Sequence, residues 1–184
     1  MATVTQLVTA QEFMTMDLGE GIFELVRGEV VELPQPRPQH GLTCGNGAYL
    51  LGRYGRESGL GYVLSNDSAV RTDRDPDTVR GADLAFYTHA KWPRDRVGNG
   101  LIPVAADLVV EVASPGNRPA DMLEKVSEYL RAGIANVWVI YPAKRLLIAF
   151  RPDADDPTIH TEFDPVENVP ELPGFRCVVA DFFA

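Results

Sequence analysis

A strand–helix–strand pattern between residues 107 and 141 constrains the fold more than any other feature of this 184-residue chain. The apolar run DLVVEVA (107–113) predicts a buried strand, and NVWVIY (136–141) predicts a second one. The amphipathic segment between them predicts a helix over residues 120–132. Two strands joined by such a helix lie parallel in one sheet, with the helix packed on a face of that sheet.

The rest of the chain adds further strands and helices to this unit. IFELVRGEVVEL alternates on both sides of Arg27-Gly28, which is typical of a β-hairpin. A capping box formed by Thr9 and Glu12 predicts a short helix that ends by Gly19. The other predicted elements are a helix at 41–58 and strands at 61–70, 79–87, 145–150, 158–163 and 175–180. We therefore expect an α+β fold with a central mixed β-sheet flanked by helices, in a single domain spanning residues 1–184.

The sequence indicates a cytoplasmic protein without a membrane segment. Apolar runs are broken by charge or proline well before the roughly 20 residues that a bilayer requires. The N-terminal stretch MATVTQLVTAQEF lacks the cationic start and the apolar core of a secretion signal. The two cysteines, Cys44 and Cys177, form no CxxC pair, and two distant thiols do not make a disulfide framework.

The formal net charge of -9 limits the partners that the chain attracts. An acidic protein repels phosphate backbones over about a Debye length, which argues against a non-specific nucleic-acid coat protein. This charge does not exclude a site whose carboxylates recruit divalent cations and meet a polyanion through them.

Two acidic residues stand within otherwise apolar strands. Glu111 interrupts the run 107–113, and a carboxylate removed from water must be neutralised, paired or bound to a metal. Asp83 poses the same problem in the strand VRGADLAFY. A salt bridge from Glu111 to Arg118 or Lys125 is one solution. A divalent cation shared by both carboxylates explains the two residues together, and oxygen ligands suit Mg²⁺ or Mn²⁺.

Lys125 and a glutamate of the first hairpin are further candidates for the same site. Lys125 lies at the edge of the inward stripe of its helix, one turn after Met122, from where its ammonium can reach the end of strand 107–113. The alternative is a lysine that lays its stem on the core and leaves its head in water. Glu24 falls between apolar strand residues, and Glu32 of the partner strand is an equally good candidate. Either glutamate alone is also compatible with a solvent-facing position.

Other metal motifs find little support in the sequence. His40, His89 and His160 have no spacing typical of a zinc site, so structural or surface roles are expected for them. The acidic segment DRDPD (73–77) lacks the glycine and the glutamate that an EF-hand requires, and we predict a hairpin turn there.

Several ordered blocks carry a family resemblance. They are FELVRGEVVEL, the proline-rich PQPRPQH that ends in His40, VRGADLAF, ADLVVEVASP, EKVSEYLRAGI, VWVIYP and LPGFRCVVADFF. Together these blocks resemble the Uma-type family of predicted PD-(D/E)XK endonucleases, a branch of the restriction-endonuclease-like superfamily. They run nearly from end to end of the chain, and their order is far more specific than any single block.

This resemblance implies a restriction-endonuclease-like core and a Mg²⁺- or Mn²⁺-dependent nuclease that hydrolyses DNA phosphodiester bonds. Asp83, Glu111 and the backbone carbonyl of Val112 would hold one or two metal ions. Lys125 would be the catalytic lysine that orients the attacking water, and Glu24 would be an accessory acid. The resemblance also implies a homodimer, because many nucleases of this superfamily cut two strands as dimers.

Two positions depart from the superfamily signature. Ala82 replaces the proline that precedes the metal-binding aspartate, a change that removes no functional group. Ala113 occupies the lysine position of the Glu-x-Lys motif, so the amine must come from the helix at Lys125. If Lys125 does not reach the site, the chain is instead a catalytically inactive nuclease-fold protein that binds nucleic acid or a partner protein.

Overall fold

The computed structural model describes residues 7–184, so the first six residues of the N-terminal stretch considered above lie outside the described part. This part contains three α-helices, ten β-strands and short 3₁₀ turns at 94–96, 142–144 and 179–183. The helices are α1 Ala10–Phe13, α2 Pro38–Ser58 and α3 Pro119–Arg131. The strands are β1 Ile22–Val26, β2 Glu29–Leu33, β3 Gly61–Asp73, β4 Thr78–Thr88, β5 Leu108–Val112, β6 Asn136–Tyr141, β7 Leu146–Phe150, β8 Thr158–Thr161, β9 Pro165–Glu167 and β10 Arg176–Val178.

Eight strands form one mixed sheet, and their order decides where the candidate site lies. The order is β2-β1-β4-β5-β6-β7-β8, with β3 paired to the other edge of β4. Among the described strands only β5 and β6 pair in parallel, and α3 connects them as the sequence predicts. β9 and β10 form a separate two-stranded sheet. The predicted α+β class, a central mixed sheet flanked by helices, is confirmed.

The two faces of the large sheet carry separate hydrophobic cores. α2 and the C-terminal segment cover one face, where Leu51, Trp138 and Phe182 are fully buried. α3 covers the other face, where Val126 and Tyr129 pack against the strands. The central strands β5 and β6 are thus buried on both faces, which is why their sequences read as nearly continuous apolar runs.

Two buried glycines allow α2 to lie very close to the sheet. A Cβ atom on Gly55 would stand 2.6 Å from the carbonyl oxygen of Gly61 in β3. A Cβ atom on Gly47 would stand 2.7 Å from Cδ1 of Leu84 in β4. The glycines weaken the intrinsic helix propensity of α2, so the helix depends on this packing for its stability.

Three details differ from the elements expected from the sequence. α1 ends at Phe13 instead of near Gly19, although its Thr9–Glu12 capping box is present. α2 begins at Pro38, three residues earlier than expected, because proline suits the first turn of a helix. β9 has no counterpart among the predicted strands, since its three residues bury a single side chain and show no usable periodicity.

Two predicted connections between strands are confirmed. β1 and β2 form the predicted hairpin, and the acidic segment after Asp73 joins β3 to β4 as a turn. Within residues 7–184, no helix is both long enough and apolar enough to cross a membrane.

Candidate functional site

The candidate site forms where one edge of β4 changes its partner strand. β3 occupies the opposite edge of β4 over nearly its whole length. On the edge of β4 that does not face β3, β1 pairs with β4 at Val79 and β5 pairs with it from Leu84 onward. Residues 80–83 therefore lie in a gap between two strands, where backbone groups need side-chain partners. The carboxylate of Glu24, for example, accepts the amide hydrogen of Gly81 at 3.0 Å.

Asp83 lies at the point where β4 separates from both of its neighbours. The pairing with β5 stops at Leu84, and the Asp83 carboxylate instead accepts the amide hydrogen of Val112 at 2.7 Å. On the other side, a bulge interrupts the register of β3 between Ser65 and Ser68, opposite Asp83. Bulges redirect side chains and are frequent beside functional sites. This local irregularity turns a strand residue into a buried ligand candidate.

Glu111 is a buried carboxylate on β5 that two residues of α3 hold in place. Its Oε1 accepts from the hydroxyl of Tyr129 at 2.7 Å, and its Oε2 accepts from Nζ of Lys125 at 2.9 Å. Continuing the antiparallel register of β4 and β5 by one residue places Glu111 opposite Asp83. Burial raises the pKa of Glu111 to about 7, with Lys125 opposing the shift and Asp83 reinforcing it.

Lys125 reaches across from α3, and three acceptors surround its ammonium group. They are Oε2 of Glu111 at 2.9 Å, Oε1 of Glu24 at 3.0 Å and the carbonyl oxygen of Gly81 at 3.2 Å. Burial disfavours the charged form, but Glu111 and Glu24 outweigh it and raise the pKa of Lys125 above its ordinary value. The head group is therefore buried and charged, contrary to the alternative of a lysine with its head in water.

Glu24 is buried on β1 and belongs to an ion-pair network. Its Oε2 accepts from Arg80 at 2.9 Å, and Arg80 also binds both carboxylate oxygens of Glu128 in α3. Although burial works in the opposite direction, Lys125 and Arg80 lower the pKa of Glu24. Glu32, the alternative candidate on β2, is exposed, so the fold brings Glu24 and not Glu32 to the site.

A second group of potential ligands adjoins Asp83. Nε2 of His40 lies 3.1 Å from Oδ1 of Asp83, and Sγ of Cys44 lies 3.5 Å from Nδ1 of the same histidine. The hydrogen bond to Asp83 raises the pKa of His40, while burial and then Asp83 raise that of the Cys44 thiol. The residue that accompanies His40 is a cysteine one helical turn later, so the spacing of the histidines alone does not reveal this group. The spacing of His40 and Cys44 is nevertheless visible in the sequence.

Asp67 is a further acidic residue of the site that the sequence patterns do not single out. It lies in the β3 bulge, where Asn66 and Asp67 have positive φ angles of 66° and 52°. Its Cβ is 3.1 Å from the position of a Cβ on Gly81, in the gap described above. Burial and the charge of Asp83 raise the pKa of Asp67. The bulge belongs to the pairing of β3 with β4, so the alternation within the segment GYVLSNDSAV does not predict it.

The site holds more acidic than basic groups. Its five carboxylates belong to Glu24, Asp67, Asp83, Glu111 and Glu128, and its two permanent cations belong to Arg80 and Lys125. Each carboxylate carries about four lone-pair positions, so Asp83 and Glu111 retain free positions beside their present hydrogen bonds. Hard oxygen ligands in excess of cationic partners fit a divalent ion such as Mg²⁺ or Mn²⁺.

The fold thus brings the four predicted side chains, those of Glu24, Asp83, Glu111 and Lys125, into one cluster. The amide of Val112 is bound to Asp83, and the use of its carbonyl as a metal ligand stays a prediction. Five neighbours were not among the predicted site residues, namely His40, Cys44, Asp67, Arg80 and Glu128.

Comparison with protein families confirms the family to which the sequence blocks point. A family model described as "Uma2: Putative restriction endonuclease" matches residues 10–180, which include the whole cluster. The chain belongs to the Uma2 family. A comparison with curated proteins gives no match.

One solved structure closely resembles this Uma2 chain. It is described as the crystal structure of a putative nuclease belonging to DUF820 from Anabaena variabilis ATCC 29413. The TM-score is 0.82 over 96% of this chain and 97% of that chain, at 16% sequence identity. At such low identity the likeness shows a shared fold, in agreement with the fold that the family resemblance implies.

Proposed function

We propose that this Uma2 protein is a metal-dependent endonuclease that hydrolyses DNA phosphodiester bonds. The observation that carries the proposal is the buried cluster in which Asp83 and Glu111 lie on adjacent strands, beside Lys125 and an excess of carboxylates. Paired carboxylates supply the oxygen ligands that Mg²⁺ takes in sites of phosphoryl transfer. The description of the family and that of the structural neighbour, a nuclease in both cases, point in the same direction.

Each residue of the cluster has a role in this proposal. Asp83, Glu111 and the carbonyl of Val112 would hold one or two Mg²⁺ or Mn²⁺ ions. When bound, the ion supplies a Lewis acid that polarises the scissile phosphate and makes a water molecule more acidic. Lys125 orients this water and offsets the charge that develops on the phosphate. Glu24 keeps Lys125 charged and directed into the site.

Lys125 must release one present acceptor before it can bind a water molecule, since an ammonium has three N–H donors and all three are in use. The carbonyl of Gly81 is the most distant acceptor, at 3.2 Å, and it is neutral. Exchange of this hydrogen bond for one to water leaves both ion pairs of Lys125 intact.

Cleavage of a supercoiled plasmid tests the proposal. The protein with Mg²⁺ or Mn²⁺ is expected to produce nicked and linear DNA, and with EDTA to produce neither. Asp83→Asn and Glu111→Gln should abolish cleavage, because each keeps the side-chain size and removes a charged ligand oxygen. Glu32→Gln is the matched control, since this exposed acid lies on the hairpin strand next to Glu24. Cleavage that survives both site substitutions would come from a contaminant and would overturn the assignment.

Two observations favour a second candidate function, a nuclease-fold protein that binds nucleic acid or a partner protein without cleavage. Ala113 stands at the motif lysine position, and every N–H of Lys125 already binds the protein. Calorimetry would show that a non-catalytic protein of this kind binds Mg²⁺. The plasmid would nevertheless stay intact in the presence of either Mg²⁺ or Mn²⁺. The two assays together therefore separate the candidates.

A further inference from the structure

We infer that His40, Cys44 and Asp83 form a binding site for a thiophilic divalent ion of the Zn²⁺ class, beside the proposed Mg²⁺ site. One nitrogen, one sulfur and one carboxylate oxygen from these residues all lie within 4.8 Å of one another. Sulfur and imidazole ligands suit Zn²⁺ and related transition metals, whereas Mg²⁺ takes oxygen ligands. The ligand chemistry here therefore differs from that of the all-oxygen pair Asp83 and Glu111.

The distances fit a tetrahedral ion after small side-chain movements. Bonds of about 2.0–2.3 Å to Zn²⁺ separate neighbouring tetrahedral ligand atoms by about 3.3–3.8 Å. Nε2 of His40 lies 3.1 Å from Oδ1 of Asp83 and 4.0 Å from Sγ of Cys44. Three protein ligands leave one tetrahedral position for water, which is the composition of many catalytic zinc sites.

The fold holds these three ligands together through α2. His40 and Cys44 are four residues apart in this helix, so their side chains leave the same face one turn apart. Gly47 follows on α2, and the absence of a side chain there lets the helix approach Leu84, the neighbour of Asp83 in β4. Ligands on packed elements of secondary structure lose little entropy when an ion binds.

The surroundings of the three ligands favour a cation. The charges of Asp67 and Glu111 act on both His40 and Cys44, and neither acid belongs to the ligand set. Asp67 in particular has no part in the ion pairs of Lys125 and Arg80 described above, so its negative charge can offset that of an ion. The hydrogen bond between His40 and Asp83 does not involve the sulfur of Cys44, which lies on the other side of the imidazole, nearer Nδ1.

The site shares Asp83 with the proposed Mg²⁺ site. An ion bound to His40 and Cys44 uses Oδ1 of Asp83 and would lie beside a Mg²⁺ ion held by the same carboxylate, so the two cations would repel each other and weaken each other's binding. This antagonism rests on the proposed function, whereas the binding site itself does not.

Titration with Co²⁺ tests the site, because Co²⁺ replaces Zn²⁺ and gives a near-ultraviolet charge-transfer band when a thiolate binds it. The reduced protein, without Mg²⁺ or nucleic acid, is expected to develop this band to a plateau at one ion per chain. Cys44→Ser should abolish the band. Cys177→Ala is the matched control and should retain it, because Cys177 is the second cysteine and is buried in the core. His40→Ala should weaken the apparent Co²⁺ affinity by about tenfold or more.

Two results would overturn the inference. One is a thiolate band that persists in Cys44→Ser, and the other is a folded wild-type protein, verified by circular dichroism, that shows no band at saturating Co²⁺. If Cys44→Ser does not fold, an unchanged Co²⁺ affinity in the folded His40→Ala variant would likewise overturn the inference. Glu111→Gln separates this inference from the proposed nuclease, since it should lose plasmid cleavage and keep the Co²⁺ band.

Discussion

In the proposed metal site, the protonation state of Glu111 should link metal binding to pH. Burial raises the pKa of this carboxyl to about 7, while Lys125 opposes the shift and Asp83 adds to it. Mg²⁺ binds the ionised carboxylate, so a proton competes with the metal below this pKa. We expect the Mg²⁺ affinity to rise by up to about tenfold per pH unit below about pH 7 and to level off above it.

Calorimetric titration of Mg²⁺ over a series of pH values measures this dependence. Glu111→Gln should bind Mg²⁺ more weakly, and its affinity should vary less with pH because the substituted amide does not titrate. An equally steep pH dependence in the variant would assign the titration to another group, such as His40 or Asp67, whose pKa values are also raised.

Loss of the Lys125 charge should affect both stability and cleavage. In Lys125→Met the aliphatic stem remains, but Glu24 and Glu111 lose a buried ion-pair partner. Removing one partner of a buried ion pair costs about 3–5 kcal/mol of unfolding free energy. Plasmid cleavage should fall by roughly 10²- to 10³-fold, the effect of one lost electrostatic donor.

Urea denaturation of Lys125→Met with and without Mg²⁺ checks the electrostatic origin of this loss. Mg²⁺ should restore more stability to the variant than to the wild-type protein, because a bound ion replaces the missing positive charge beside Glu111. Equal stabilisation of both proteins by Mg²⁺ would contradict the idea that the ion replaces the charge of Lys125.

At the scale of secondary-structure elements, local patterns predict the hairpin and α3 but not the gap that makes the site. Arg27 and Gly28 both have positive φ angles, so the hairpin turn follows from two adjacent residues. The choice between Glu24 and Glu32 stays open in the sequence, because both fit the same alternation. Only the pairing of β1 with β4, which is distant in sequence, decides which glutamate is buried. The bulge that carries Asp67 likewise depends on tertiary pairing.

The close packing of α2 on the sheet gives a prediction at the same scale. A Cβ on Gly55 would stand 2.6 Å from a backbone carbonyl oxygen of Gly61, which cannot rotate away as a side chain does. Gly55→Ala should therefore lower the unfolding free energy by about 1–3 kcal/mol. Gly45→Ala is the matched control in the same helix, since nothing lies within 4 Å of its Cβ position. There the better helix propensity of alanine should raise stability by roughly 0.5–1 kcal/mol.

Chemical denaturation of the two alanine variants compares these effects directly. Opposite signs are expected, and two stabilising substitutions would show that α2 does not lie so close to β3. The result bears on the site as well, because the same helix carries His40 and Cys44 toward Asp83.

At the scale of the whole molecule, the proposed DNA substrate would approach a protein of net charge -9 and a site rich in carboxylates. Charge alone opposes this approach, since nucleic-acid binding normally depends on the release of cations from phosphates by basic residues. In the proposed site, divalent ions bound at Asp83 and Glu111 would offset this local negative charge. DNA binding should therefore depend on the ion, not on the protein's overall charge.

Fluorescence anisotropy with labelled duplex DNA tests this dependence in EDTA and in Ca²⁺. Ca²⁺ binds to the same kind of oxygen ligands as Mg²⁺, at longer distances of about 2.3–2.6 Å and in a more flexible geometry. It can therefore occupy the proposed site in an assay that measures binding. Ca²⁺ should tighten DNA binding by the wild-type protein by about tenfold or more, and the double variant Asp83→Asn/Glu111→Gln should lose this gain. The matched control is Glu29→Gln/Glu32→Gln, which removes the same charge from two exposed acids on β2 and should keep the gain. If both double variants lose it equally, DNA is attracted through the general charge of the protein and not through an ion at the site.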